Sequence, residues 1–127
     1  MRVLTPLVIE YVDGKSWVLR KTFAVDFDGA LGLRRIYVPR GFVTDFNSIP
    51  RFFWRLAPPT EYGEAAVIHD YLYRIGAKPE VSQEIADKAH RELMKWKGAS
   101  KFRRGMYYGG LRAASKLPLN AYHRKPV

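Results

Sequence analysis

Cysteine is missing altogether from the 127 residues. Its absence excludes a disulfide framework, a thiolate metal site and a cysteine nucleophile, and leaves the redox compartment open. Long apolar runs are missing too. No stretch approaches the roughly 20 apolar residues that cross a bilayer, so no transmembrane segment is expected. The opening Met1-Arg2-Val3-Leu4-Thr5-Pro6 has a single charged side chain and no sustained apolar run, so no signal peptide is expected either. Neither an internal repeat nor a low-complexity segment is found. The last absence is of acid: residues 97–127 hold eight Lys or Arg and no Asp or Glu. Nearly all of the net charge of +10 therefore sits there, because residues 1–96 set fourteen basic groups against twelve acidic ones. Such a segment attracts an anionic partner, whether nucleic acid, lipid, an envelope polymer or an acidic protein surface; it also serves as a plain solubilising face.

What is present is the composition of a globular chain, 47% hydrophobic and 14% aromatic, long enough for one core without staples. The pattern predicts an α+β fold in a single domain: a small antiparallel sheet over 1–40, a motif loop over 41–59, helices over 60–116 and a basic tail over 117–127. Two apolar runs, 8–12 and 17–27, flank Asp13-Gly14, a strong hairpin signal because both turn residues take positive φ. In the second run Trp17, Leu19, Phe23, Val25 and Phe27 alternate, with Lys21 the interruption. That reads as one half-buried strand. A third strand is expected over 34–38. Pro50, Pro58 and Pro59 bracket Phe52-Phe53-Trp54, which reads as core or as a docking surface. Thr60 caps a predicted helix from 61 to about 73, apolar on every side at Ala65-Ala66-Val67-Ile68 and so central. Ser82 caps a second, to about 96, with Ile85, Ala86, Ala89, Leu93 and Trp96 as its buried stripe. Ser100 caps a third, to about 116, where Gly109 and Gly110 would let another backbone approach.

Chemistry-bearing residues gather in 41–73 and in the second helix. His69 lies near the end of the first helix and Asp87 near the start of the second. At roughly 1.5 Å per residue both stand about 6 to 8 Å from the connecting loop, so an antiparallel pair sets them level. Asp87 and His90 share a face, as do His69 and Tyr73. Asp70 points about 100° away from His69, with Arg74 four residues on. A histidine held through one nitrogen by a carboxylate is oriented and made more basic, as a general base must be. Alternatively Asp45, Asp70 and Asp87 could take a hard divalent cation through oxygen, Ca2+ or Mg2+. A third reading needs no function. A buried His bonded to one Asp, with Asp70 on Arg74, simply ties helices together, and Thr44, Asp45, Asn47 and Ser48 bond neighbouring backbone groups in turns.

The stretch Gly41-Phe42-x-Thr44-Asp45-x-x-Ser48-Ile49-Pro50-Arg51, followed by His69-Asp70-x-Leu72-Tyr73 and then Ala86-Asp87, strongly resembles a family of small phage and prophage proteins of unknown function. The likeness covers about residues 15–115; Asn47 stands where that family often has Ala. It implies a phage or prophage origin, hence the bacterial host cytoplasm or the virion as location. The shared motif positions it implies are Asp45, Ser48, His69, Asp70, Tyr73 and Asp87. A weaker likeness covers a few residues only. His69-Asp70-x-x-Tyr73 with a facing Asp is similar in layout to the active-site helix of secreted phospholipases A2, where the His activates water and the next Asp binds calcium. The disulfides and glycine-rich calcium loop of those enzymes are absent here.

Two functional expectations follow. One is a small hydrolase of lipid or cell-envelope bonds, with His69 as base, Asp87 orienting it, Tyr73 bracing it, and Asp70 with Asp45 holding a cation or polarising substrate. Thr44, Ser48 and Arg51 would line its loop. The other is a non-catalytic virion or morphogenesis protein, in which the His/Asp set is a clasp. Its basic 97–127 segment would contact phage structural proteins or DNA.

Overall fold

The computed structural model describes residues 1–14, 16–44, 55 and 61–116. The chain divides into two compact units, Met1–Asp45 and Phe46–Val127.

The first unit holds two three-stranded antiparallel sheets. One has β1 (Arg2–Val3), β4 (Phe23–Asp26) and β5 (Arg35–Val38), with β4 in the middle; the other has β2 (Ile9–Val12), β3 (Ser16–Leu19) and β6 (Val43–Thr44), with β3 in the middle. The Asp13-Gly14 hairpin is present. Both residues have positive φ, 49° and 75°, and Tyr11 pairs with Trp17 across it. The Asp13 carboxylate accepts the Ser16 N–H at 3.0 Å.

The predicted single strand over 17–27 is two strands that serve different sheets. Continuing the alternation through Leu19 and Phe23 would drive Lys21 into the core. The chain bends at 20–22 instead, which leaves Lys21 exposed while Leu19 and Phe23 are buried. The core of this unit is then Leu19, Phe23, Val25, Phe27, Ile36 and Val38. Because β4 is central, all four of its residues are buried, including Asp26. That carboxylate is satisfied by Arg2 at 3.2 Å, Arg35 at 3.3 Å and the Asp28 N–H at 2.8 Å. The loop expected from residue 41 opens with strand residues at Val43 and Thr44, paired to Val18 and Trp17.

The second unit is helical: α1 (Gly63–Leu72), α2 (Gln83–Lys97) and α3 (Lys101–Ser115). Every α1 residue but Glu64 is buried, as expected of a helix apolar all round. It begins two residues later than predicted, with Tyr62 at the cap position and no side-chain cap; Thr60 lies outside the described residues. The Ser82 and Ser100 hydroxyls accept the Ile85 and Arg103 N–H groups at 3.2 Å, the caps expected of them. α2 packs against both α1 and α3. Lys97 at the C-terminal end of α2 meets Glu64 at the N-terminal end of α1 at 3.3 Å, so these two helices run antiparallel.

Two expectations about this unit are corrected. Trp96 is exposed, because the buried arc of α2 centres on Ala86, Asp87, Ala89, His90, Leu93 and Met94. At about 100° per residue that arc takes two polar side chains inward and leaves Ile85 and Trp96 on its edge. Of the glycine pair expected to admit another backbone, Gly109 is corrected: it is exposed, and a Cβ added there would meet nothing within 4 Å.

Candidate functional site

The α1–α2 hairpin brings His69 and Asp87 together. Gly76 ends the turn after α1 at φ 89°, the Ser82 cap starts α2, and the two side chains meet at the same height. The His69 Nε2–H donates to Asp87 Oδ1 at 2.7 Å, and both residues are only 1% exposed. Tyr73, one turn further along α1, stacks on the His69 ring with centroids 4.9 Å apart.

The other Asp87 oxygen is held from α3. Arg112 Nη1 donates to Oδ2 at 3.0 Å, so one carboxylate on α2 joins side chains of both flanking helices. Burying a charge is costly unless it is paired and hydrogen-bonded, and here both oxygens are occupied. Arg112 carried no local signal, standing 25 residues from Asp87. The general signal was the acid-free stretch around it: an inward-facing arginine there can only pair with another element.

His90 completes the cluster. Its ring is edge-on to His69 at 5.7 Å and stacked on Tyr107 of α3 at 6.0 Å. It is 1% exposed, and its Nδ1 finds no hydrogen-bond partner among the described residues. Burial, with His69 alongside, pushes the His90 imidazole well below the ordinary histidine range. The ring is therefore a neutral one at neutral pH. Sequence reasoning placed His90 on the face of Asp87 but gave it no role. Behind it, burial pushes the Tyr107 phenol up, and the Tyr62 hydroxyl accepts a hydrogen bond from Arg103 at 3.2 Å.

Asp70 takes another direction. Arg74 grips it through two hydrogen bonds, 3.3 Å from Nε to Oδ1 and 3.0 Å from Nη2 to Oδ2. This departs from the phospholipase A2 layout, in which the corresponding carboxylate binds calcium. Among the described residues, no three His, Asp or Glu side chains are placed to hold a metal ion. Thr44 is buried at the end of β6 in the first unit. Asp45, Ser48 and Arg51, together with Phe52-Phe53-Trp54, lie outside the described residues.

A family model described as "Protein of unknown function (DUF1353)" matches residues 17–111. No curated protein and no solved structure is a significant match.

Proposed function

The chain belongs to that family of unknown function, and we propose that it is a small phage-derived hydrolase of lipid or cell-envelope bonds built on the His69–Asp87 pair. The 2.7 Å hydrogen bond between these side chains carries the reading. With Nε2–H given to the carboxylate, Nδ1 holds the lone pair, and that lone pair takes a proton from water. The hydroxide equivalent adds to the carbonyl or phosphoryl centre, and the same proton returns to the departing oxygen. Asp87 fixes the ring and its tautomer, and Arg112 fixes Asp87. Tyr73 braces the ring face. His90 adds support of another kind: a buried nitrogen without a partner costs about 1–3 kcal/mol, and sites kept for function tolerate such costs. Under this reading Asp45, Ser48 and Arg51 contact substrate. Asp70 joins them, or a Ca2+ or Mg2+ ion, only by leaving Arg74.

One observation favours a second reading, a non-catalytic virion or morphogenesis protein. His69 and Asp87 are 1% exposed, and the network from His69 through Asp87 to Arg112 spans three helices, as a clasp would. A single experiment separates the two. The purified protein and its His69→Asn variant are incubated with phospholipid vesicles and with peptidoglycan, and product release and thermal melts are both recorded. The hydrolase reading expects release by the wild type that the variant loses while it still unfolds in a cooperative melt. Absence of product from both substrates, together with a melt lowered by the loss of roughly 3–5 kcal/mol, establishes the clasp.

A further inference from the structure

The tip of the α2–α3 hairpin carries a combination of side chains that the His69 site does not use. Phe102, in the first turn of α3, is 76% exposed, more than any other large apolar side chain among the described residues. Trp96, in the last turn of α2, is 44% exposed. Between them Gly98, at φ 98°, and the Ser100 cap reverse the chain, so both aromatics stand within one helical turn of the connection. Lys95, Lys97 and Lys101 are exposed around them. Of these, Lys97 is shared with Glu64 at 3.3 Å and lies 5.8 Å from the centre of the Trp96 ring. Lys95 and Lys101 make no ion pair among the described residues, and no acid follows Glu92 in the sequence.

We infer that this tip is a docking surface for an anionic phospholipid bilayer. A single exposed apolar residue needs no explanation; two aromatics ringed by lysines at one tip do. Phenylalanine has no polar handle and gains from entering the acyl boundary. Tryptophan suits the headgroup level, and lysine stems lie along apolar surface while their ammonium groups reach phosphate. Each lysine near an anionic surface contributes attraction that salt screens. Single-stranded nucleic acid also takes aromatic and basic residues, but along a groove that tracks its backbone. Here they cap the end of a helical hairpin. The contact is interfacial, since no helix among the described residues is long and apolar enough to cross a membrane. This inference makes specific the anionic partner expected of the basic segment from residue 97 onward and does not depend on the chemistry at His69.

The test is co-sedimentation of the full chain with vesicles of phosphatidylglycerol and phosphatidylcholine, against pure phosphatidylcholine. Binding to the anionic vesicles alone is expected, weakened at about 0.5 M salt. Phe102→Ser should lower the partition coefficient about tenfold, and Lys101→Gln about fivefold. Both positions are exposed, so melts should match the wild type. Quenching by brominated lipid should fall in Trp96→Phe relative to the wild type. Failure to bind anionic vesicles overturns the inference. So does binding that Phe102→Ser leaves unchanged, or that a single-stranded oligonucleotide abolishes, since either marks plain charge attraction or a nucleic-acid partner. Vesicle binding without hydrolysis would count against the catalytic reading alone, and hydrolysis of dispersed substrate without vesicle binding against this one alone.

Discussion

His90 is the side chain whose environment has the plainest consequence in solution. It is packed between His69 of α1 and Tyr107 of α3, with Asp87 one turn away on its own helix, and it is held neutral by burial. Unfolding releases it to water, where it binds a proton near pH 6.5. Between that value and its lower folded value the unfolded chain carries more protons, so stability falls as pH falls, by up to about 1.4 kcal/mol per pH unit. Above about pH 6.5 this contribution is complete. Urea melts of the wild type and His90→Leu at a series of pH values should show the acid-side slope reduced in the variant; parallel curves would refute the assignment. Much of this cluster was legible in advance. Helix rise alone set His69 and Asp87 level, because the Ser82 cap and the loop length are local features. Arg112 was not legible, because nothing near it in the chain points to α2.

At the scale of elements, the two serine caps that start α2 and α3 are independent of the site and can be weighed separately. Replacing Ser82 or Ser100 by Ala leaves the Ile85 or Arg103 N–H without its acceptor, at a cost of about 1 kcal/mol each. Thermal unfolding should move down by roughly 3 to 5 °C for either change, and by about the sum in the double variant, since neither serine contacts the other's partner. Helix existence and order, and the caps of α2 and α3, were read from the sequence because serine caps and apolar period are written locally. The face of α2 was misread because a stripe drawn through apolar residues alone omits Asp87 and His90. Burial of a paired carboxylate and a neutral imidazole rotates the inward arc toward them. In the sheets, Lys21 did what it should in marking the interruption, but one charged residue at an inward position signals a bend between two strands rather than a flaw in one.

For the molecule as a whole, charge is the property that reaches furthest. Asp87 is already matched in charge by Arg112 and hydrogen-bonded by His69, and Asp70 is matched by Arg74. Neither carboxylate therefore needs a divalent ion to offset repulsion from the other. A ligand that binds only the folded state raises stability by mass action. Millimolar Ca2+ or Mg2+ should accordingly leave the melting temperature unchanged at pH 7. A rise that Asp70→Asn abolishes would instead show that the Arg74 pair opens to admit a cation. The fold class was legible from period and turn chemistry. The division of the strands between two sheets was not, because pairing partners are chosen over long separations, β1 with β4 and β3 with β6 among them.

The double grip on Asp87 also governs how this protein can change over generations. Loss of the carboxylate leaves an arginine and a histidine facing a buried position with nothing to neutralise or accept from them. Loss of either partner leaves a buried charge or hydrogen-bonding oxygen exposed to apolar neighbours instead. An apolar core of similar volume could serve the same three helices, but only when all three positions change together. Each intermediate along that route is less stable than both ends. The three codons for His69, Asp87 and Arg112 are thus bound to one another across 43 positions of sequence, and drift at any one of them is opposed by the other two whether or not the site ever touches a substrate.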